Sequence, residues 1–354
     1  MAAYTTVKKP LDYFNTKIYS GNSSAGHAIT GVGFQPDWVW IKSRSGTSSH
    51  TNFDAVRGQG KAIYQNATTI ETTVTGHLTS FDSDGFTLGD NSGTGSTNGS
   101  STYVAWNWKA GTTGSGTTGG SGTSKAYTYS VNTAAGFSIV RYLGNQTSGH
   151  AIPHHLGDTP KFIIVKNLAD TRNWNTYHHK QGGTKYLVLN ANDAEAASAS
   201  LWNDSSPTSS NIILGSGQNV NQTDSAHIAY CFAEKRGYSK FGIYTGTGDS
   251  DGTFVYTGFR PAWGMFKKIN GTGDWLIMDD VRDGGYRDQP LYKIINANST
   301  AAEASSYASY QCDFVSTGFK IRNTLGNQNA NGDRYVYIAF AELPLVGDNP
   351  VTAR

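Results

Sequence analysis

One strand motif occurs three times in this chain. Each copy is a proline followed by a run of mostly apolar residues that ends in lysine, and the copies occupy residues 36–42, 160–166 and 261–267. A second run that ends in asparagine follows each copy, and an apolar closing strand comes after it. A period of about 100 residues is too long for a solenoid unit and fits one small domain. The sequence therefore predicts three tandem domains.

Similar sequence features precede and follow the proline strand in each copy. A Tyr-x-Gly turn precedes each proline strand, and each closing strand carries an alanine, at Ala105, Ala229 or Ala339. The proline and this alanine are equally far apart in the first two copies and farther apart in the third. We therefore align Ala339 with the other two alanines.

Composition predicts the class of each domain. The chain has 42 glycines in 354 residues, and Ser, Thr and Asn fill the gaps between short runs of β-branched and aromatic residues. This pattern is typical of many strands joined by tight turns. The best helical candidates, residues 193–202 and 299–307, lack a sustained apolar stripe, so we expect short helical turns in loops there. The sequence predicts an all-β protein of three tandem β-sandwich-like domains.

Changes in composition set the domain boundaries. We expect β-sandwich repeats at residues 1–110, 126–238 and 239–344, a linker at 111–125 and a C-terminal tail at 345–354. Residues 111–124 are all Gly, Ser or Thr, which predicts a flexible coil with a span of roughly 20 Å on which the first domain swings. The connection at 234–239 has the length of a hairpin loop, which predicts a stiff joint between the second and third repeats.

Charge, cysteine count and hydropathy narrow the function classes. Lys and Arg number 28 against 26 Asp and Glu, and no basic run forms the electrostatic footprint of a nucleic-acid protein. Cys231 and Cys312 lie in different repeats at non-equivalent places, so we expect buried thiols rather than a disulfide framework. The N-terminus lacks the apolar core of a secretory signal, and no apolar run approaches membrane-spanning length. We expect a chain that folds in a cytoplasm, does not insert into membranes, and reaches the outside by lysis or as part of a particle.

Five segments resemble a known repeat family. Residues 12–17, 33–42, 80–89, 232–241 and 254–261 are similar to a repeat found in virion proteins of tailed phages, especially marine ones, and the similarity covers nearly the whole chain. Members are often labelled tail-fibre-like or lectin-like. The resemblance implies a place in a phage particle, and it brings no catalytic motif and no ligand residues.

The histidines and the acidic turns are the candidate metal ligands of the chain. Imidazoles concentrate in the second repeat, but their spacing fits no standard Zn²⁺ or Ni²⁺ motif, the third repeat has no histidine, and we expect no metal there. The Asp-Ser-Asp-Gly turns at 82–85 and 249–252 lack the bidentate Glu of a complete calcium loop. We expect plain β-turns, and the sequence leaves a bound Ca²⁺ open. The histidines are His150, His154, His155, His178 and His179.

Two acid sets recur as candidates for catalysis. Asp54 precedes Arg57, and Asp279 precedes Arg282, at the same place in the first and third repeats, while the second repeat has His178 there. An Asp that faces an Arg three residues on is more often a structural ion pair. Because no acid or histidine keeps its place in all three repeats, we expect no enzyme and no cofactor.

Surface recognition is the remaining function class. Loops rich in Gly, Ser, Asn and Thr that carry Tyr and Trp favour binding sites and contacts to sugars. We expect the tryptophans of strands 38–40 and 106–108 in the core, and Trp202 on the surface. The predicted ligand contacts are Trp174, Trp202, Trp275, Tyr177 and Tyr286.

The sequence thus predicts a non-enzymatic virion protein. We expect it on the exterior of the particle, as a tail-fibre-like or knob-like component that attaches to a host-surface glycan and is assembled in the host cytoplasm. The expected partners are other virion proteins of the head, tail or adaptor, host glycans, and further copies of the chain in a homo-oligomer. Two alternatives remain open: a decoration protein that bridges neighbouring subunits, and a glycan depolymerase.

Overall fold

The computed structural model describes residues 5–91, 96–284, 289–305 and 310–344, and within them the protein is all-β. Short strands make up several sheets, with a 3-10 turn at Pro10–Asp12 and two four-residue helices, α1 (Ala199–Trp202) and α2 (Gln218–Asn221). The helical turn that we predicted within 193–202 is therefore present. Ser198 begins α1 because its hydroxyl accepts a hydrogen bond from the Ser200 N–H.

The first repeat folds into one large and one small sheet. The large sheet has the order β1-β9-β3-β4-β5-β6, and the small sheet has the order β2-β8-β7. The strands are β1 (Phe14–Ser20), β2 (His27–Ile29), β3 (Trp38–Ser43), β4 (Thr51–Asp54), β5 (Lys61–Tyr64), β6 (Thr72–Thr73), β7 (Leu78–Asp82), β8 (Gly85–Leu88) and β9 (Thr102–Trp108).

The large sheet of the second repeat keeps this strand order and adds strands at one edge, whereas its small sheet is ordered differently. Its large sheet has the order β10-β12-β13-β20-β15-β16-β17-β18, and its small sheet has the order β11-β14-β19. The strands are β10 (Thr112–Thr117), β11 (Gly119–Gly120), β12 (Ala126–Asn132), β13 (Phe137–Leu143), β14 (His150–Pro153), β15 (Phe162–Asn167), β16 (Asn175–His178), β17 (Lys185–Val188), β18 (Ala196–Ala197), β19 (Asn211–Leu214) and β20 (Ala226–Phe232).

The third repeat has the plan of the first, except that its described residues include no counterpart of β6. Its large sheet has the order β21-β28-β23-β24-β25, and its small sheet has the order β22-β27-β26. The strands are β21 (Ser239–Thr245), β22 (Phe254–Tyr256), β23 (Phe259–Lys268), β24 (Trp275–Asp279), β25 (Ile295–Asn296), β26 (Cys312–Val315), β27 (Gly318–Ile321) and β28 (Arg334–Pro344).

The alternation of the first proline strand explains why it is buried on both faces. Trp38 and Trp40 point into an aromatic core at the centre of the molecule, and Val39 and Ile41 point into a second core that is shared with the small sheet. This is the two-residue period that we predicted for the strand. Cys231 and Cys312 are buried free thiols, as predicted.

Our alignment of the closing strands was wrong in the third repeat. The closing-strand residue that pairs with the position before the strand lysine is Ala105 in the first repeat and Ala229 in the second, but it is Tyr337 in the third. Ala339 lies two residues farther along. A shift of two residues leaves every side chain on the same face of a sheet, so alternation could not reveal it.

The predicted flexible linker at 111–125 is also corrected, because it contains β10 and β11. β10 pairs with β12 along its whole length. Its glycines make room for aromatic rings: a Cβ on Gly114 would lie 2.6 Å from the hydroxyl of Tyr129, and one on Gly116 would lie 2.7 Å from that of Tyr127. Glycine here permits close approach to a side chain, whereas we had interpreted it as flexibility.

The first repeat does not swing, because its tryptophans are part of the central core. The ring centroid of Trp38 lies 4.4 Å from that of Tyr230 in the second repeat, and Trp108 meets Trp263 of the third repeat at 5.9 Å. Apolar side chains from all three large sheets form this core. The mobile arm that we expected is therefore wrong, and the division into three domains stays a prediction.

A buried lysine joins each repeat to a neighbour. The lysines that end the three proline strands are fully buried, and each ammonium group donates to main-chain carbonyl oxygens. In each case one of these oxygens belongs to another repeat, and the three links close a ring: first to third, second to first, third to second. We call Lys42, Lys166 and Lys267 the boundary lysines; their cross-repeat acceptors are Thr300 O at 3.3 Å, Thr68 O at 3.1 Å and Asn192 O at 3.3 Å.

Candidate functional site

The structure buries four of the five side chains that we predicted as ligand contacts. Trp174, Trp275, Tyr177 and Trp202 are each at most 2% exposed, so a ligand in solvent cannot reach them, and the surface position expected for Trp202 is wrong. The fifth, Tyr286, lies outside the described residues.

Two of these tryptophans hold the repeats together instead. The Trp174 indole N–H donates to the carbonyl oxygen of Tyr64 in the first repeat at 3.1 Å. The Trp275 indole N–H donates to the carbonyl oxygen of Val188 in the second repeat at 2.9 Å. Trp174 and Trp275 occur at equivalent positions in the sequence because each lies at a boundary between repeats. From the sequence alone, this structural role looks the same as a shared role in ligand binding.

The histidines of the second repeat act as structural side chains. Burial lowers the pKa of His178 to about 3, so this imidazole is neutral. His150 lies between the side chains of Asn221 and Thr118, at 2.8 and 2.6 Å. Within the described residues, no three His, Cys, Asp or Glu side chains are grouped as a metal site would need.

Carboxylates in the acidic turns are engaged by their own surroundings. The two oxygens of Asp84 accept hydrogen bonds from the N–H groups of Gly31 and Gly33, at 2.9 and 2.6 Å. Asp251 forms ion pairs with Lys320 and Arg322, at 2.6 and 2.8 Å. These contacts fit the β-turn interpretation.

The recurring Asp and Arg sets are buried ion pairs at repeat boundaries. Asp54 lies 2.5 Å from Arg57, and its carboxylate also accepts a hydrogen bond from the Tyr230 hydroxyl of the second repeat at 2.7 Å. Asp279 is placed alike, with Arg282 at 2.6 Å and the Trp106 indole of the first repeat at 3.0 Å. Both pairs are inaccessible to solvent, so they have the geometry of structural ion pairs rather than of catalytic groups.

Two adjoining depressions lie where the second and third repeats meet. The first, the junction cleft, has a volume of about 520 Å³ and lies over the connection between β20 and β21. Polar and apolar groups contribute about equally to its lining. The side chains that define it are those of Thr6, Asp158, Glu234, Lys235, Lys240 and Tyr256.

Ion pairs fix the charged groups of the junction cleft. Lys235 lies 2.5 Å from Asp158, and Lys240 lies 2.7 Å from Glu234. Beside them stands Tyr256, whose side chain is the most exposed among the large apolar residues of the described chain, at 55%. The cleft thus combines fixed donors and acceptors with one accessible aromatic ring.

The second depression, the edge groove, runs along the outer edge of β21 and has a volume of about 790 Å³. Phe254, on β22, is 47% exposed at its rim. On the opposite wall are basic and imidazole groups of the second repeat. The residues that define the groove are Lys161, His179, Lys180, Ile243, Phe254 and Tyr337.

Main-chain groups of β21 point into the edge groove. The Phe241 carbonyl accepts a hydrogen bond from His179 Nε2 at 2.8 Å, and the Phe241 N–H donates to Glu234 Oε2 at 3.4 Å. Since successive residues of an antiparallel strand point their main-chain groups to opposite edges, those of Ile243 also face the groove. β28 occupies the other edge of β21.

The sequence contained signals for both depressions that we did not use. Glu234, Lys235 and Arg236 form a charged run in a chain where charged residues are 15% of the total. Phe254-Val255-Tyr256 places two aromatic residues on the same face of a short strand, and that face is exposed. We had interpreted the charged run as a stiff joint.

Comparison with known proteins gives one family. A family model described as a domain of unknown function (DUF7483) matches residues 9–344. No curated protein and no solved structure matches the chain. None of the helices in the described ranges has the length and apolar character needed to cross a membrane.

Proposed function

Since the chain belongs to the DUF7483 family, a domain of unknown function, we propose a function from its surface: it is a non-enzymatic attachment protein that binds a host-surface glycan in the junction cleft. The observation that carries this proposal is the exposed ring of Tyr256 beside the fixed polar groups of Glu234, Lys235 and Lys240. A sugar offers a flat face of C–H groups to an aromatic ring and a rim of hydroxyls to donors and acceptors.

The proposed setting is the exterior of a tailed-phage particle. It is supported by the resemblance of residues 12–17, 33–42, 80–89, 232–241 and 254–261 to a repeat of tailed-phage virion proteins. In this setting the partners are other virion proteins of the head, tail or adaptor and further copies of the chain. A shallow cleft binds weakly by itself, and several copies on one particle make weak sites effective together.

We also propose that the three sets of sheets are three β-sandwich-like domains of one repeat. The shared strand order supports this: in the three large sheets β1, β13 and β21 each pair with the closing strand, which in turn pairs with the proline strand. Each set also has an apolar core between its own large and small sheets. The central core then joins the three domains into one body.

The edge groove favours a second candidate function, a decoration protein that bridges neighbouring subunits. An open strand edge in a groove is a common docking place for another protein. The depolymerase is less well supported, because the two carboxylates of the junction cleft, Asp158 and Glu234, each lie against a lysine ammonium group. That arrangement differs from a pair of carboxyl groups free to act as acid and nucleophile.

An array of bacterial surface polysaccharides tests the proposal. We expect the chain to bind at least one polysaccharide, and Tyr256→Ala to weaken that binding tenfold or more, about 1.4 kcal/mol. Phe254→Ala is the matched control, because it removes an exposed ring from the same strand outside the junction cleft, and we expect it to change binding less than twofold.

Three results would contradict this account. Binding to no polysaccharide, or equal effects of the two substitutions, would refute the junction cleft as a glycan site. Release of new reducing ends during incubation would show a depolymerase instead.

A further inference from the structure

A place equivalent to the edge groove lies beside β13 of the second repeat, and another strand of the chain occupies it. β13 of the second repeat corresponds to β21 of the third, since Tyr142 pairs with His227 on the closing strand just as Tyr244 pairs with Tyr335. Both pairs are stacked rings, with centroids 5.2 and 5.1 Å apart. On the outer edge of β13 lies β12, a strand of this chain. Within the described residues, no strand pairs with the outer edge of β21.

The walls of the two places also correspond. The Ala55 N–H donates to the Asp37 carbonyl at 2.8 Å, and the His179 N–H donates to the Lys161 carbonyl at 2.9 Å, so Asp37 and Lys161 hold equivalent positions. The Asp37 carboxylate accepts a hydrogen bond from the Ser130 hydroxyl of β12 at 3.3 Å. Lys161, at the equivalent position, is among the residues that line the edge groove. The groove is therefore the space that β12 fills one repeat earlier.

From this correspondence we infer that β21 accepts a short extended segment of a partner protein as an added strand. The segment exchanges main-chain hydrogen bonds with Ile243, whose N–H and carbonyl face the groove. Its main-chain pairing with β21 ends near Phe241, because His179 and Glu234 already bond the main-chain groups of that residue.

The residues that line the groove determine which side chains of the partner segment would fit. On β12 the rings of Tyr127 and Tyr129 point toward the small sheet and pack in the core of the second repeat. The equivalent positions of an added strand face Phe254 and Tyr337, so they take a large apolar or aromatic side chain. Alternate positions face the wall of the second repeat.

Charge on that wall favours an acidic partner. Asp37 in the filled place is replaced by Lys161 in the groove, and Lys180 stands nearby. Neither lysine has an ion-pair partner within the described residues. An Asp or Glu in the partner segment, at the position equivalent to Ser130, would form an ion pair with Lys161. The partner is thus an extended segment that alternates aromatic and acidic residues.

A peptide based on β12 tests the inference. The probe is a synthetic seven-residue peptide with the sequence of β12, AYTYSVN, in which aspartate replaces the serine. We expect the intact protein to bind this peptide saturably in fluorescence anisotropy. A peptide with lysine at that position should bind at least tenfold more weakly.

Two protein variants locate the binding. Ile243→Pro removes the N–H that faces the groove and should abolish binding, while Ile18→Pro makes the same change at the equivalent edge position of β1 and should leave it unchanged. Lys161→Glu should reverse the preference, so that the lysine peptide binds better than the aspartate peptide. This second variant decides the question if Ile243→Pro does not fold by circular dichroism.

Several outcomes would overturn the inference. They are no binding of the aspartate peptide, binding that survives both Ile243→Pro and Lys161→Glu, and equal loss of binding in Ile18→Pro. A dimer of the protein that Ile243→Pro dissociates would show that a second copy of the chain, rather than a partner protein, occupies this edge.

Discussion

Truncating Trp38 should destabilise the whole molecule, because this side chain lies where the repeats meet. Trp38 is 1% exposed, and its ring stacks on Trp108 of its own repeat and on Tyr230 of the second repeat, with both centroid separations at 4.4 Å. Replacing a buried Trp by Ala costs about 3–5 kcal/mol, and two stacked neighbours place the expected loss at the upper end, about 4–5 kcal/mol. That is more than a quarter of the stability of a typical protein, about 5–15 kcal/mol.

Urea unfolding followed by circular dichroism and by tryptophan fluorescence measures this loss. We expect one transition with coincident curves for the native sequence and for Trp38→Ala. The matched control is Trp202→Ala, since Trp202 is equally buried but packs in the core of the second repeat alone. Trypsin should cleave the Trp38 variant faster in all three repeats, because each contributes to the central core.

A separate early transition for the first repeat would refute this reasoning. So would a Trp38→Ala loss below about 1 kcal/mol, because a side chain in a solvent-accessible joint costs that little. In either case the central core would not hold the repeats together.

Two further predictions concern the linker strand and the boundary lysines. Gly114→Val should destabilise the protein by about 1–3 kcal/mol in urea unfolding, because the added Cβ would collide with the ring of Tyr129. Gly119→Val should cost less, because there is open space around Gly119. Equal effects of the two substitutions would restore the flexible-coil interpretation. Burial lowers the pKa of Lys166 to about 7 and the pKa values of Lys42 and Lys267 to about 8, whereas lysines in the unfolded chain keep their protons up to about pH 10. Between about pH 8 and 9.5 the unfolded state therefore binds more protons than the folded state. The free energy of unfolding should rise with pH in that range. Lys166→Met should reduce that slope by about 1 kcal/mol per pH unit in urea titrations, exposed Lys180→Met should not, and an unchanged slope in Lys166→Met would contradict the burial of its charge.

Local patterns predicted the parts of the fold that depend on neighbouring residues in the sequence. The alternation at Trp38 and Val39 gave the two faces of β3, and the non-equivalent places of Cys231 and Cys312 gave two free thiols. In both cases the information lies within one strand or in a comparison of two repeats. The all-β class followed from the turn-rich composition in the same way.

Contacts between repeats could not be predicted from the same patterns. A run of Gly, Ser and Thr looks alike whether it is a coil or a strand beneath the rings of Tyr127 and Tyr129. Similarly, Trp174 and Trp275 recur because each donates across a boundary, a fact that depends on the arrangement of repeats in space. The junction cleft and the edge groove also depend on this arrangement, since residues from different repeats form each of them.

Small-angle X-ray scattering of the intact chain tests the central claim, that three repeats form one body around a shared core. A compact chain of 354 residues has a radius of gyration of about 20 Å. We predict a value close to this, with a single-peaked distance distribution that does not change with salt. A radius well above about 25 Å, with a second peak from a separated first repeat, would contradict the account.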